Sequence, residues 1–426
     1  MEPNKKIEVA VIGGGIAGLC VVIGLLKYKH LNVKIYEAAP KFSEIGAGLA
    51  LAPNGQRAMK LIDEAIDAAF SVQATSNVWE SQRTTWFQIR TGVEGQGEEL
   101  ITAPTNETGQ RTVHRALFLD ELVKLVPKKI CHFGKRVELI LDKGDDGITI
   151  HFKDGTTANA DYVIGADGVH SPTRRFILGR DHPATNPQFT HTVAYRGLVP
   201  MERAKQVLKA EYAENSFIWL NKDQAISTYP ISFGKIMNVV AVRAGVGEWE
   251  HDEETVPASP ADLDRDLIGW KESPLAILSL LKEQPFSCWS MWDMLEPAPR
   301  YSKGNVCVMG DSAHASAHAS VPYQAQGASQ AIEDALVLFE LFGHVADVKQ
   351  IAAAFKAYDQ VRRPRTQRAI ATSREVGELL TYRNPSIGDD FQKIKNNVDR
   401  RMDWLWNKDL VEQNQEALDV MKELLK

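Results

Sequence analysis

The chain has 426 residues, 24% of them charged, with a formal net charge of −6. That length exceeds one small core and predicts two domains. A hydrophobic fraction of 44% excludes a disordered chain, and the absence of a Lys/Arg block interleaved with aromatics argues against a nucleic-acid partner.

At the N-terminus, Glu2, Lys5, Lys6 and Glu8 break up any signal-peptide core, which predicts a cytoplasmic protein. The apolar stretch at residues 21–26 is closed by Lys27 and is too short to span a bilayer. Ile7, Val9, Ala10, Val11 and Ile12 form an apolar run ending in Gly13-Gly14-Gly15, and Leu19, Val22, Ile23 and Leu26 follow at helical spacing. A second β-branched run at residues 33–36 leads to Glu37. Strand, glycine turn, helix and strand in that order make a βαβ unit.

Gly13, Gly15 and Gly18 supply the pattern G-x-G-x-x-G. The first glycine permits a tight turn, the second lets backbone N–H groups approach a pyrophosphate, and the third lets helix and strand pack closely. The helix N-terminus faces the phosphates with its positive dipole end. Glu37, about 20 residues on, is the expected partner of an adenosine ribose hydroxyl. These residues predict a dinucleotide site without choosing between FAD and NAD.

Farther along, residues 160–165 read as a buried strand entering a glycine turn, and residues 305–310 read the same way. Three such junctions predict strand ends converging on one ligand at the carboxyl edge of a sheet. Between residues 190 and 247, alternating segments such as 226–231 and 236–242 predict an inserted antiparallel sheet. From about Ile351 the chain is rich in Ala, Leu, Lys, Glu and Arg at helical spacing and should be helix.

The expected fold is α/β: a Rossmann-like FAD- or NAD-binding domain with an inserted mixed or antiparallel substrate sheet and a helical C-terminus. The expected boundaries are 1–75, 104–178 and 287–360 for the nucleotide domain. Residues 76–103 and 179–286 form the substrate domain, and 361–426 the C-terminal helices. Cys20, Cys131, Cys288 and Cys307 form no CxxC pair and read as buried thiols in a reducing compartment.

Two later segments carry a family resemblance. Gly165-Ala166-Asp167-Gly168-Val169-His170-Ser171, with Arg174 beyond, resembles the DG motif of class A flavoprotein monooxygenases. Gly310-Asp311-Ser312-Ala313-His314, with Pro322 and then residues 327–334, resembles their second flavin motif. Glu44-Ile45-Gly46-Ala47-Gly48, Pro53-Asn54 and His114-Arg115 are similar to the salicylate hydroxylase branch, fungal polyketide-modifying relatives included. The likeness covers about residues 7 to 370.

The resemblance implies bound FAD, with NAD(P)H as cosubstrate docking transiently, O2, and a small phenolic substrate. A C4a-hydroperoxyflavin would hydroxylate that substrate. It further implies that Glu37 binds ribose, that Arg115 lies near the phosphates or ribityl chain, and that Asp167 serves flavin and nicotinamide. Asp311 would accept from the ribityl chain. Backbone N–H groups at Gly327 and Ala328 would stabilise negative charge on the reduced ring. Gly48 belongs to the same cofactor set. The chain departs from its relatives in the flavin loop, Pro322-Tyr323-Gln324-Ala325-Gln326-Gly327, with Ala325 where glycine is usual and extra residues at 317–320.

Flavin hydroxylation asks the protein to exclude water and to hold an electron-rich ring, best as the phenolate. Arg196, in Tyr195-Arg196-Gly197, and Tyr229, in Ser227-Thr228-Tyr229-Pro230, resemble the Arg and Tyr that hold phenolate in dearomatising fungal members. Arg196 also suits a carboxylate, through two parallel N–H bonds. Both salicylate-type hydroxylation and dearomatisation of a resorcinol-type polyketide therefore stay open, as does a flavin-binding protein without turnover, acting as monomer or homodimer.

Other features have plainer readings. His314 and His318 lack acidic or cysteine partners for a metal. His170 reads as a loop hydrogen-bonder, and Trp289 and Trp292 as core or lid residues. Arg362, Arg363 and Arg365 around Pro364 read as a solvated or salt-bridged turn.

Overall fold

The computed structural model describes residues 6–42, 48–93, 95–315, 324 and 326–426. A six-stranded sheet forms the nucleotide half, in the order Ser302–Lys303, Val306–Val308, Tyr162–Gly165, Ile7–Ile12, Leu31–Tyr36 and Cys131–His132. The strands pair in parallel except for Ser302–Lys303 at the edge. Their near-continuous apolar runs follow from burial on both faces. Ile12 stands level with Tyr36 and Gly165, and Gly165 with Val308. The chain therefore leaves three neighbouring strands along one edge, into Gly13, Ala166 and Met309, as the glycine junctions predict.

The helix Gln326–Gly343 packs between Ile16–Leu25 and Ile351–Leu380. Its residues Ile332, Ala335, Leu336 and Phe342 join the core beneath the sheet. No helix among the described residues is long and apolar enough to cross a membrane. Cys20, Cys288 and Cys307 are buried, whereas Cys131 is only partly covered.

The second half is an eight-stranded mixed sheet. Its order is Thr255–Pro257, Phe286–Asp293, Gln188–Pro200, Ile236–Ala244, Gln224–Ile231, Phe217–Asn221, Gln88–Thr91 and Leu100–Thr102. Neighbours pair antiparallel except Phe217–Asn221 with Gln88–Thr91. Alternate residues face opposite sides. Tyr195, Val239, Ala241 and Ile226 pack on short helices that include Met201–Val207 and Glu272–Lys282. Ala194, Val240, Tyr229 and Val242 join the other face, which packs on Ala369, Val376 and Leu380 of Ile351–Leu380.

Two expected boundaries fall inside elements. Strand Phe286–Asp293 pairs with Gln188–Pro200 and so belongs to the large sheet rather than to the nucleotide half that begins at 287. Residues 360 and 361 lie within one helix that continues through Pro364. Both elements are held by partners remote in sequence, which composition near the boundary does not reveal.

Candidate active site

The three strand ends, two helix N-termini and the inner face of the large sheet surround a cavity of about 730 Å³. Small-molecule sites span roughly 300–1,000 Å³. Gly13, Gly15, Glu37, Arg115, Asp167 and Asp311 line it, together with Gly48, Gly327 and Ala328. Arg196 and Tyr229 line it from the large sheet. Gly18 lies behind this wall.

Close backbone approach makes the first turn. Gly13 has φ +105°, and a Cβ there would stand 2.2 Å from the Ala166 carbonyl oxygen. A Cβ at Gly18 would stand 2.0 Å from the Gly13 carbonyl oxygen. Side chains at either position would push helix and strand ends apart. Glu37 is fixed beside them: its Oε2 accepts the Gly14 N–H at 2.6 Å and its Oε1 the Ala39 N–H at 2.7 Å.

Asp311 opens the short helix Asp311–His314, and its carboxylate makes no hydrogen bond among the described residues, leaving an acceptor at the cavity wall. Gly327 and Ala328 sit in the first turn of an 18-residue helix, whose leading N–H groups have no intrahelical acceptor. Ala325, Pro322, Tyr323 and His318, like residues 43–47, lie outside the described residues.

The Asp167 carboxylate is engaged within the protein. It accepts from the Ser171 hydroxyl and from Thr173, through the N–H at 3.0 Å and the hydroxyl at 2.7 Å. Burial raises its pKa, and these bonds oppose the rise. The buried Arg174 then ties this turn to the second flavin motif, donating to the Val169 carbonyl and to that of Ser312 at 3.0 Å. His170 bonds Glu254 at the cavity rim.

The Arg362 segment, expected as a solvated or salt-bridged turn, is salt-bridged but lies within a helix rather than a turn. Arg362 is completely buried in the interior of Ile351–Leu380. Its Nε donates to Asp334 Oδ1 at 2.8 Å, and its Nη1 pairs with Glu333. Arg365 adds a second cation to Glu333, and His314 bonds Asp334 at 2.6 Å. Burial pushes the Glu333 carboxyl up, but Arg362 and Arg365 overcome it and hold the group at about 2. This cluster anchors the helix that presents Gly327 and Ala328 to the cavity.

On the large sheet, Arg196 lies 4.8 Å from the ring centroid of Trp289. Its Nε is buried without a hydrogen-bond partner. Burial lowers its pKa; Tyr229 opposes that shift and the like charge of Arg115 adds to it. Tyr229 donates its hydroxyl to the Gly48 carbonyl at 3.1 Å. Trp289, read as core or lid, lines the cavity instead. Its place beside Arg196 depends on the pairing Ala194↔Trp289 and Arg196↔Ser287, for which local sequence carries no signal.

The residues present fit FAD. A helix N-terminus beside an acidic ribose acceptor, a carboxylate with no hydrogen bond among the described residues, and a second helix N-terminus all line one cavity, the donors and acceptors such a cofactor needs. The space between that second N-terminus and the Arg196 face is left for another ligand.

The family described as "FAD binding domain" matches residues 6–373. A 6-methylsalicylate 1-monooxygenase of Aspergillus terreus is 45% identical, over 100% of this chain and 94% of its own length. A salicylate hydroxylase of Pseudomonas putida is 36% identical, over 96% of this chain and 95% of its own. A solved salicylate hydroxylase substrate complex superimposes with a TM-score of 0.86 at 32% identity, covering 97% of this chain and 98% of that one.

Proposed function

We propose, from the premise that this chain belongs to the FAD binding domain family and is an FAD-dependent monooxygenase, that its substrate is a small aromatic acid of the salicylate type. The observation that carries the substrate class is Arg196. A guanidinium that lines the cavity, its Nε buried and with no hydrogen-bonded or ion-pair partner among the described residues, calls for an anion from the ligand. The relative named for 6-methylsalicylate and the salicylate hydroxylases point to the same anion, a carboxylate beside a phenol.

Bound FAD, reduced by NAD(P)H, would supply the activation of O2, one atom of which goes to the substrate while the other leaves as water. The polypeptide's part is to place both ligands. Gly15 would present its N–H to the pyrophosphate, while Gly13, whose own N–H is donated to the Tyr36 carbonyl at 2.8 Å, makes the tight turn; Glu37 would accept from ribose and Asp311 from the ribityl chain. Arg115 neutralises phosphate charge, and Asp167 holds the turn that borders flavin and nicotinamide. Gly327 and Ala328 offer N–H groups where the reduced ring carries negative charge.

Arg196 grips the aromatic acid through its planar fork. Its charge lowers the pKa of a neighbouring phenol and so favours the electron-rich phenolate. Trp289 and Val240 give flat apolar walls that exclude water. Three buried thiols suit a reducing, cytoplasmic setting.

The test is a panel of salicylates and acyl-resorcinols, read by NAD(P)H oxidation and product mass. A salicylate that accelerates oxidation and yields a catechol with release of carbon dioxide supports the reading. A non-aromatic dienone from a resorcinol overturns it in favour of dearomatisation. In Arg196→Ala, bound FAD is retained while the substrate Kd rises about 10- to 150-fold, the loss of charge-assisted bonds. Unchanged turnover removes Arg196 from the site.

A further inference from the structure

The face that carries Arg196 also carries Tyr229 and Asn238, registered opposite one another on neighbouring strands. Both side chains reach the backbone of one residue, Gly48, which lines the cavity. Asn238 Oδ1 accepts the Gly48 N–H at 3.1 Å, and the Tyr229 hydroxyl donates to the Gly48 carbonyl at 3.1 Å. A Cβ on Gly48 would stand 2.6 Å from Tyr229 Cε2 and 2.9 Å from Asn238 Cγ, so the contact leaves no room for a side chain.

Both residues are 2% exposed. Asn238 Nδ2 is buried with no partner among the described residues, an arrangement that costs stability unless the bond made by Oδ1 offsets it. Gly48 opens the strand Gly48–Leu51 and registers with His114, the residue before Arg115. A displacement of Gly48 therefore passes directly to a cation that lines the cavity.

We propose that Tyr229 and Asn238 are positioning residues that clasp the Gly48 backbone at its N–H and its carbonyl and hold the strand Gly48–Leu51 at a set height above the substrate face. The inference rests on the reading of this cavity as the site for flavin and an aromatic acid, and it replaces the direct hold of Tyr229 on the phenolate. A phenol has one proton to donate. While that proton is on the Gly48 carbonyl, Arg196 alone of the pair meets the substrate anion. Burial pushes the Tyr229 hydroxyl up to about 12, with Arg196 opposing the rise, so it remains a donor at working pH.

The experiment uses the FAD-loaded protein with Tyr229→Phe, Asn238→Leu, Asn238→Asp and the double variant Tyr229→Phe/Asn238→Leu. Four quantities are measured: product formed per NAD(P)H oxidised, substrate Kd by flavin absorbance, flavin content, and hydrogen exchange at residues 48–51. Each hydrogen-bond deletion lowers coupling about three- to tenfold and speeds exchange at 48–51. Asn238→Asp, which keeps the acceptor, restores both. The double variant falls short of the product of the two single effects, because both act on one residue, Gly48.

The proposal is overturned if Tyr229→Phe raises substrate Kd or shifts the ionisation of the bound phenol while exchange at 48–51 stays at the wild-type rate. It is equally overturned if Asn238→Leu matches the wild type in coupling and exchange. Hydrogen exchange needs no turnover. A protein that no aromatic acid stimulates would sink the functional reading while the clasp is still judged by exchange.

Discussion

Replacing Arg362 by Met removes a charge but keeps most of the side-chain volume, so the cost reports the ion cluster rather than a cavity. Arg362 uses all five of its N–H groups. Besides Asp334 and Glu333, they reach Gln413 Oε1 at 3.0 Å, the Gln330 carbonyl at 3.1 Å and Gln330 Oε1 at 2.8 Å. Glu333 would still keep Arg365 and Asn54, and Asp334 would keep His314 and the Gly310 N–H. Neither carboxylate is abandoned, so the cost falls at the low end of the ~3–5 kcal/mol for breaking a buried pair. Unfolding entropy of roughly 2.1 cal/mol/K per residue over 426 residues is about 0.9 kcal/mol/K. The expected fall in Tm at neutral pH is therefore about 3 °C.

The same cluster sets an acid limb. In the folded protein Arg362 and Arg365 hold the Glu333 carboxyl at about 2, against an ordinary value of 4.5. A depressed carboxylate contributes stability that is complete above the unfolded pKa and is lost as pH falls through the folded one. The advantage of wild type over Glu333→Gln is thus full above pH 4.5 and vanishes towards about 2. In Arg362→Met that limb moves to higher pH, because the carboxylate has lost one cation. Calorimetry of the FAD-loaded protein across this window is the assay. A Tm within about 1 °C of wild type, with an unmoved acid limb, would refute the view that these charges anchor the flavin-side helix.

Gly18→Ala places a methyl group 2.0 Å from the Gly13 carbonyl, where backbone must shift. The purified variant should lose most of its flavin absorbance per mole of protein, and full occupancy would contradict the packing argument. Trp289→Ala removes the ring 4.8 Å from Arg196. A desolvated cation–π contact of about 1–2 kcal/mol predicts a substrate Kd raised about 5- to 30-fold with FAD content unchanged, and an unaltered Kd would count against that contact.

The nucleotide half was legible because its information is local. Glycine spacing, an apolar run before it and Glu37 after the next strand specify a βαβ unit without distant partners, and parallel pairing then brings the three strand ends together. The hairpin of Gln224–Ile231 with Ile236–Ala244 was legible for the same reason, its strands being adjacent in the chain. The DG and second flavin motifs carried the cofactor, and Arg196 came from the resemblance.

The rest depends on register and on helix contacts between remote segments. Trp289 reaches Arg196 because one strand registers Ala194 against it, and one step of slip would turn the indole to the opposite face. Asn238 looks like an ordinary strand residue until Gly48 is folded over it. Arg362 beside Pro364 reads as a solvated or salt-bridged turn, since proline breaks helices and arginine favours water or a carboxylate. Glu333 and Asp334 on the facing helix supply the carboxylates, and a buried guanidinium is tolerated where they meet it. Local periodicity thus decided the cofactor fold, whereas tertiary pairing decided which side chains face the second ligand and which hold the first in place.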